Sequence, residues 1–421
     1  MSNRRWNVCS NLAVQHRGCQ LLACLLLTLC TPLTGQTVPD SRQRTTQPAR
    51  TAEAVLAELP APRVTSDLDR FILNGMRQAG IPGLSAAVVQ NQRLVWTGHY
   101  GWADIERRIP VSDKTLFQVA SVSKTVTACV VMQLVERGQL KLDEDVNQVL
   151  PFSVRNPRQS DTPITLRHLL THTSGIRDHW QLLEKTWVKN GDFPETLGDS
   201  LSAYLTPQGE YYHAKKNFFR WAAGTKCEYA NVGVALAAYV AEVRSGRPFE
   251  ELCARGVFEP LGMQASAFRL AAVDRTRLAM PYALKKKKGR FQPLGHHGYL
   301  DYPSGTLRTS VPQLARFLMS FIGDGSLNGV RVLQSATVSE MRRVAWPDIA
   351  PGQGLVWYRQ KMRGVPLLGH DGGDPGVSSL MFYRPSDGTG FVVLMNAEPR
   401  REAFEDALAA RLLQFADAAA P

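Results

Sequence analysis

Cysteine is scarce in this chain and badly placed for crosslinking. Seven occur in 421 residues, and four of them (Cys9, Cys19, Cys24 and Cys30) fall within the first 35. Cys129, Cys227 and Cys253 remain, an odd number that excludes a disulfide framework. One Cys227–Cys253 bridge in an oxidising compartment stays open, and Cys129 on its apolar run reads as a packing residue. Long apolar runs are rare too. The stretch from Leu21 to Leu33 has the length of a signal-peptide core and falls short of a membrane span. Acid is in deficit, with 37 Asp and Glu against 49 Lys and Arg and a net charge of +12. Arg4, Arg5 and Arg17 lie in an acid-free leader, and the run from Lys285 to Lys288 beside Arg290 supplies much of the rest. With Pro281, Tyr282 and Phe291 nearby, that run reads as a solvated hairpin tip; weak attraction to an anionic envelope surface is the alternative. No nucleic-acid motif accompanies the charge, so no nucleic-acid partner is expected.

What the chain does have is the makings of a sizeable core. Hydrophobic residues make up 44% and charged residues 20%, the balance of a soluble globular protein. Residues 1–35 read as a signal peptide with cleavage near Gly35, which predicts a periplasmic or secreted protein. An uncleaved anchor or an Arg-rich organelle transit peptide stays open, whereas Leu29 before Cys30 argues against a lipoprotein. Residues 36–63 read as a flexible linker and 64–416 as the folded domain. Apolar residues at 68, 71, 72 and 76 predict a helix over Asp67 to Ala79, ended by Gly80. Leu84 to Val89 and Leu94 to His99 read as a hairpin. Residues 121–345 are dominated by helical segments and long loops. Strands are predicted over Gly354–Lys361, Val365–Gly369, Ser378–Tyr383 and Gly390–Met395, then a helix over Glu402–Phe415. A sheet drawing strands from both chain ends requires the two ends to meet.

The chemistry starts at Ser121 and Lys124. Three residues apart, they share a face only on a helix, and the apolar run after them, closed by Gly138, predicts a buried one. Helix-start N–H groups favour a developing oxyanion at Ser121, and a buried lysine one turn on can lose its proton near neutral pH and activate the hydroxyl. Alone, such a pair is more often a serine cap and a surface lysine. Two further segments weigh against that. Glu228-Tyr229-Ala230-Asn231 precedes an apolar helix-like run, and a phenol beside an ammonium is expected to titrate below about 10; the bland alternative is a helix start capped by Asn231. Leu367 to Gly376 contains His370-Asp371-Gly372-Gly373-Asp374, read locally as a glycine-rich turn or as a strand edge approaching a ligand.

Ser-x-x-Lys, Tyr-x-Asn and His-x-Gly, in this order and at these separations, resemble the class C β-lactamase family, with its D-alanyl-D-alanine carboxypeptidases, D-aminopeptidases and esterases. Leu169-Leu170-Thr171-His172-Thr173-Ser174-Gly175-Ile176 and Pro303 to Ser310 resemble further segments of it. The resemblance runs from about 64 to 416. It implies an α/β (α+β) fold: an antiparallel five-stranded sheet flanked by helices, from about 64–120 and 353–416, with an inserted helical lobe and the active site between. It also implies roles. Ser121 is the nucleophile, and Lys124 and Tyr229 share its proton. Asn231 holds the lysine and contacts the acyl side. His370 stands where many relatives carry lysine, Gly372 lies in the substrate-binding segment, and the N–H groups of Ser121 and Gly373 form the oxyanion hole. No cofactor or metal is implied.

Asp371 departs from the pattern, since most relatives carry Thr or Ser there to bind a substrate carboxylate. An aspartate facing the cleft would repel that carboxylate by roughly 1–4 kcal/mol at 4 Å; the other reading turns it away or pairs it with an arginine such as Arg400. His168 and His172 are four apart, but Thr173-Ser174-Gly175 ends the helix at once, so structural roles are expected of them and of His296 and His297. Asp143 and Asp145 read as caps. The expected function is therefore a serine hydrolase working through an acyl-enzyme on a small-molecule or peptide substrate, esters or amides ahead of β-lactams. A catalytically idle penicillin-binding or scaffolding protein of the same fold is the alternative.

Overall fold

The structure, a computed structural model, describes residues 50–61, 66–400 and 403–419. The expected signal peptide and most of the expected linker lie outside these residues. The linker's end does not: Ala52–Ala57 form a helix (α1), capped by the Thr51 hydroxyl, that buries Ala52, Val55 and Leu56. Its apolar spacing is helical, which a reading of overall composition overlooks.

Helix α2 (Asp67–Ala79) opens on a capping box between Ser66 and Asp69 and stops at Gly80, whose φ of +73° few other residues would accept. The chain then enters β1 (Gly83–Gln90) and β2 (Arg93–Asp104). Asn91 and Gln92, both at positive φ, form the two-residue turn whose twist suits a hairpin. A two-residue β3 (Ile109–Pro110) follows, placed on an edge where proline's missing N–H is harmless. The remaining sheet strands come 248 positions after Pro110 (358 − 110): β4 (Tyr358–Met362), β5 (Val365–Asp374), β6 (Val377–Arg384) and β7 (Thr389–Met395).

The order is β4-β5-β6-β7-β1-β2-β3, antiparallel throughout. Five long strands form its body, and the short β3 and β4 extend it to seven, two more than the resemblance implies. β4 starts four residues later than predicted. Val356 at φ +67° turns its N–H to the Leu170 carbonyl and sends Trp357 into the helical lobe to stack on Phe321. β5, in contrast, runs straight through the expected glycine turn.

Strands β1 and β7 pair at the centre, Leu84 opposite Met395, so the chain ends meet. They are apolar on both faces. Ala87, Val89, Val392 and Leu394 point into the larger core, while Ala86, Val88, Phe391 and Val393 point into the second. The second core is closed by α2 and by the C-terminal helix α7 (Ala403–Ala419), whose Leu408 and Leu412 are fully buried. The larger core holds the helical lobe. Its helices are α3 (Ser123–Glu136), buried on every side through Leu134, the short α4 (Leu166–Leu170), α5 (Asn231–Ser245) against α3, and α6 (Val311–Ile322) across β1 and β7.

Cys253 is a free thiol inside that core, as is Cys129, so the Cys227–Cys253 bridge is not formed. Cys227 Sγ lies 3.7 Å from the Thr171 carbonyl oxygen. The basic run forms a hairpin, Tyr282–Lys285 paired with Arg290–Pro293. Among the described residues no helix is long and apolar enough to cross a membrane.

Candidate active site

The nucleophile segment is clamped from three sides. Phe117–Gln118 pairs with Arg308–Thr309, Val119 N–H donates to the Leu307 carbonyl (2.9 Å), and Ser379 Oγ donates to the Val119 carbonyl (2.7 Å). Between these ties Ala120 is held at φ +43°, a left-handed conformation that costs a non-glycine residue about 1 kcal/mol or more. The result is a tight 3₁₀ turn, Ala120–Val122, that presents Ser121 just ahead of α3 rather than in its first α-helical turn.

Lys124 is fully buried. Its Nζ donates to Ser121 Oγ at 3.0 Å and to the Ser304 carbonyl at 2.7 Å. Burial lowers its pKa to about 8, against the opposing pull of Asp301, Asp178, Asp374 and Asp371. Tyr229 lies at the same hydroxyl: its side chain hydrogen-bonds Ser121, and its ring sits 4.9 Å from Lys124 Nζ. The expectation that its phenol titrates below about 10 is wrong. Burial pushes it well above, the bond to Ser121 only partly opposes this, and Asp371, Asp178 and Asp374 add to it. The phenol is therefore neutral, and the amine is the group able to give up a proton.

Two histidines flank Tyr229. The His172 ring lies 4.3 Å from the Tyr229 ring and that of His370 6.3 Å away. His172, at φ +57°, accepts the Ala230 N–H on Nδ1 (3.3 Å), so the turn ending α4 fixes the tyrosine segment. His168 caps its own helix and stacks on Trp346. His370 is buried beside Lys124, which together lower its pKa to about 3 and keep it neutral. Its Nδ1 meets the Asp371 carbonyl and so donates, leaving Nε2 as a buried acceptor with no partner among the described residues.

Asn231 is not tied to the lysine. Ala230 occupies the cap position of α5, and Asn231 Nδ2 donates to Asp178 Oδ2 at 2.9 Å. Asp178 also accepts the Asn231 and Val232 N–H groups at 2.8 and 3.1 Å, capping α5 from 53 residues away. Burial raises its pKa to about 7. Sequence reading missed this residue, and no local signal marks it; the clue is that the segment before α5 offers no cap of its own. It also missed Asp301, which accepts from Ser304 Oγ (3.1 Å), and Asp374, which accepts from Gln118 Nε2 (2.8 Å) and Tyr299 (3.1 Å).

Strand β5 closes the cleft. A Cβ on Gly372 would stand 2.4 Å from Ser379 Oγ, 2.5 Å from the Val119 carbonyl and 2.9 Å from Ser121 N, so only glycine lets the sheet edge lie against the nucleophile turn. Gly373 follows, opposite Ser378. Asp371 accepts a short hydrogen bond from the Tyr358 hydroxyl on β4 and keeps about a third of its side chain exposed. Arg400 does not neutralise it, because its guanidinium lies against Gly80 at the C-terminal end of α2.

A serine polarised by a buried lysine and a tyrosine, on a sheet edge facing a helical lobe, defines a lysine-dependent acyl-transfer fold. The chain belongs to the β-lactamase family, whose profile matches residues 68–415. It is similar to penicillin-binding protein 4 of Amycolatopsis lactamdurans, 29% identical over 71% of this chain and 76% of that one. It is also similar to a β-lactamase of Escherichia coli (27%, 75% and 76%) and to esterase EstB of Burkholderia gladioli (30%, 53% and 56%). Among solved structures it resembles the octameric penicillin-binding protein homologue from Pyrococcus abyssi, with a TM-score of 0.65, 25% identity and coverage of 83% and 77%.

Proposed function

We propose that this chain is a serine hydrolase acylated at Ser121, acting on esters or amides in preference to β-lactams. The observation that carries the reading is a fully buried amine 3.0 Å from the Ser121 hydroxyl, with the Tyr229 phenol at the same oxygen. In its free-amine form Lys124 takes the proton as Oγ bonds to the substrate carbonyl carbon. The N–H groups of Ser121 and Gly373 receive the oxyanion; one such donor is typically worth about 3 kcal/mol in the transition state. Tyr229, neutral throughout, passes the proton from Lys124 to the leaving group. Water then attacks the acyl-enzyme by the same route in reverse. Asn231, held by Asp178, faces the acyl side, and neutral His370 contributes an acceptor rather than a charge.

Asp371 disfavours strong β-lactamase activity, because its part-exposed carboxylate, held by the Tyr358 hydroxyl and close enough to act on Lys124 and Tyr229, would repel a penicillin's own carboxylate. The relatives named for penicillin binding, β-lactam hydrolysis and ester hydrolysis mark the range within which this choice lies. A fluorophosphonate probe should label the protein stoichiometrically and fail on Ser121→Ala. Nitrophenyl butyrate should turn over faster than nitrocefin. Absence of labelling would leave only the idle scaffold; fast nitrocefin turnover would refute the role given to Asp371. We also assign the protein outside the cytoplasm on the leader at 1–35, which fractionation of cells expressing the chain with and without those residues would test.

A further inference from the structure

We propose that Asp374 anchors a positive charge on the substrate, so that the preferred substrates are esters or amides bearing an ammonium beside the scissile carbonyl. The inference rests on the serine-hydrolase reading and adds the substrate's charge. Side chains alternate along a strand, so Gly372 and Asp374 share one face of β5, about 6.5 Å apart. That face is the one whose Gly372 position abuts Ser121 N. Asp374 thus stands within the span of a small acyl group from the nucleophile, tied to its segment through Gln118.

Its two oxygens are unequal. Oδ2 takes both hydrogen bonds, from Gln118 Nε2 and the Tyr299 hydroxyl, while Oδ1 takes none from the described residues and the residue stays partly exposed. The half-buried Trp187 ring lies 5.8 Å from the ring of Tyr299, whose hydroxyl holds the carboxylate, and an aromatic neighbour of this kind suits an ammonium. Asp371, on the opposite face of the strand, adds a second negative charge that is felt at Lys124 and Tyr229. The cations close by are already committed: Lys124 to Ser121 and Ser304, Arg308 to the carbonyls of Phe268, Thr306 and His297. A substrate carboxylate would meet like charge, and a substrate ammonium a prepared partner.

The test compares alanine p-nitroanilide, its N-acetyl form and its N-succinyl form in both enantiomeric series at about pH 7.5, where Asp374, raised by burial to about 7, is mostly ionised and the substrate amine is still largely protonated. The ammonium substrate should exceed the neutral one in kcat/KM by about tenfold or more, and the anionic one by a wider margin. In Asp374→Asn the ammonium-to-neutral ratio should fall toward one, and Asp374→Glu should restore part of it. Added salt should narrow the wild-type ratio by screening, a readout that needs no variant to fold. A neutral substrate matching the ammonium one, or a ratio indifferent to Asp374→Asn and to salt, overturns the proposal. Fluorophosphonate labelling of the wild type separates the failures. A labelled enzyme without charge preference sinks this inference alone, and an unlabelled one sinks the hydrolase reading together with it.

Discussion

Lys124 sets the chemistry, because, of the ionisable groups bonded to Ser121, it is the one brought into the neutral range. Tyr229 stays protonated and His370 unprotonated across the working range. Burial brings Lys124 near neutrality, as it does Asp178 and Asp374, but Lys124 is the one bonded to the nucleophile. Its free amine is the active form, so kcat/KM should rise with pH through about 8 and show no falling limb from Tyr229 below that phenol's ordinary range. Asp301 is the strongest of the carboxylates opposing the shift. Taking its charge away in Asp301→Asn should favour the amine further and move the rising limb to lower pH. A pH–rate profile that stays put, or moves upward, would remove Lys124 from the role of base. Lys124→Arg should lose nearly all activity while keeping a positive charge, since guanidinium does not give up its proton.

Strand β5 shows why an element can be half legible. Its apolar half, Val365 to Gly369, announces a strand, whereas His370 to Asp374 has the composition of a turn. Pairing with β6 overrides that composition, and the glycine is there for space at Ser121 rather than for a turn. The three motifs around Ser121, Tyr229 and His370 were readable because they are local and ordered. The residues that hold them were not: Asp178 acts across 53 positions on α5, and Asp301 and Asp374 matter only once the loops assemble. Gly372→Ala tests the element directly. The added methyl has backbone on two sides, so the nucleophile turn must shift. Activity should fall by about a hundredfold or more at a stability cost of about 1–3 kcal/mol. Steady-state kinetics beside urea titration would check both, and near-wild-type kcat/KM would show that the turn yields without harm.

At the scale of the whole molecule, the site depends on a sheet that has no meaning in either chain half. β1 comes from one end and β7 from the other, and each buries alternate residues in both cores. The two cores therefore share a wall, and neither can open without stripping cover from strands the other needs. Leu412, fully buried on α7, belongs to the core remote from Ser121; Trp357, stacked on Phe321, reports on the other. Leu412→Ala should cost about 2–5 kcal/mol. If the shared wall couples the cores, that loss should appear equally in far-UV circular dichroism, in the tryptophan signal of the helical lobe and in residual activity, as one calorimetric transition displaced to lower temperature. A lobe whose signal held its original midpoint while α7 melted would mean that the helical lobe folds on its own. The active site between lobe and sheet would then have to be treated as an interface between two independent units.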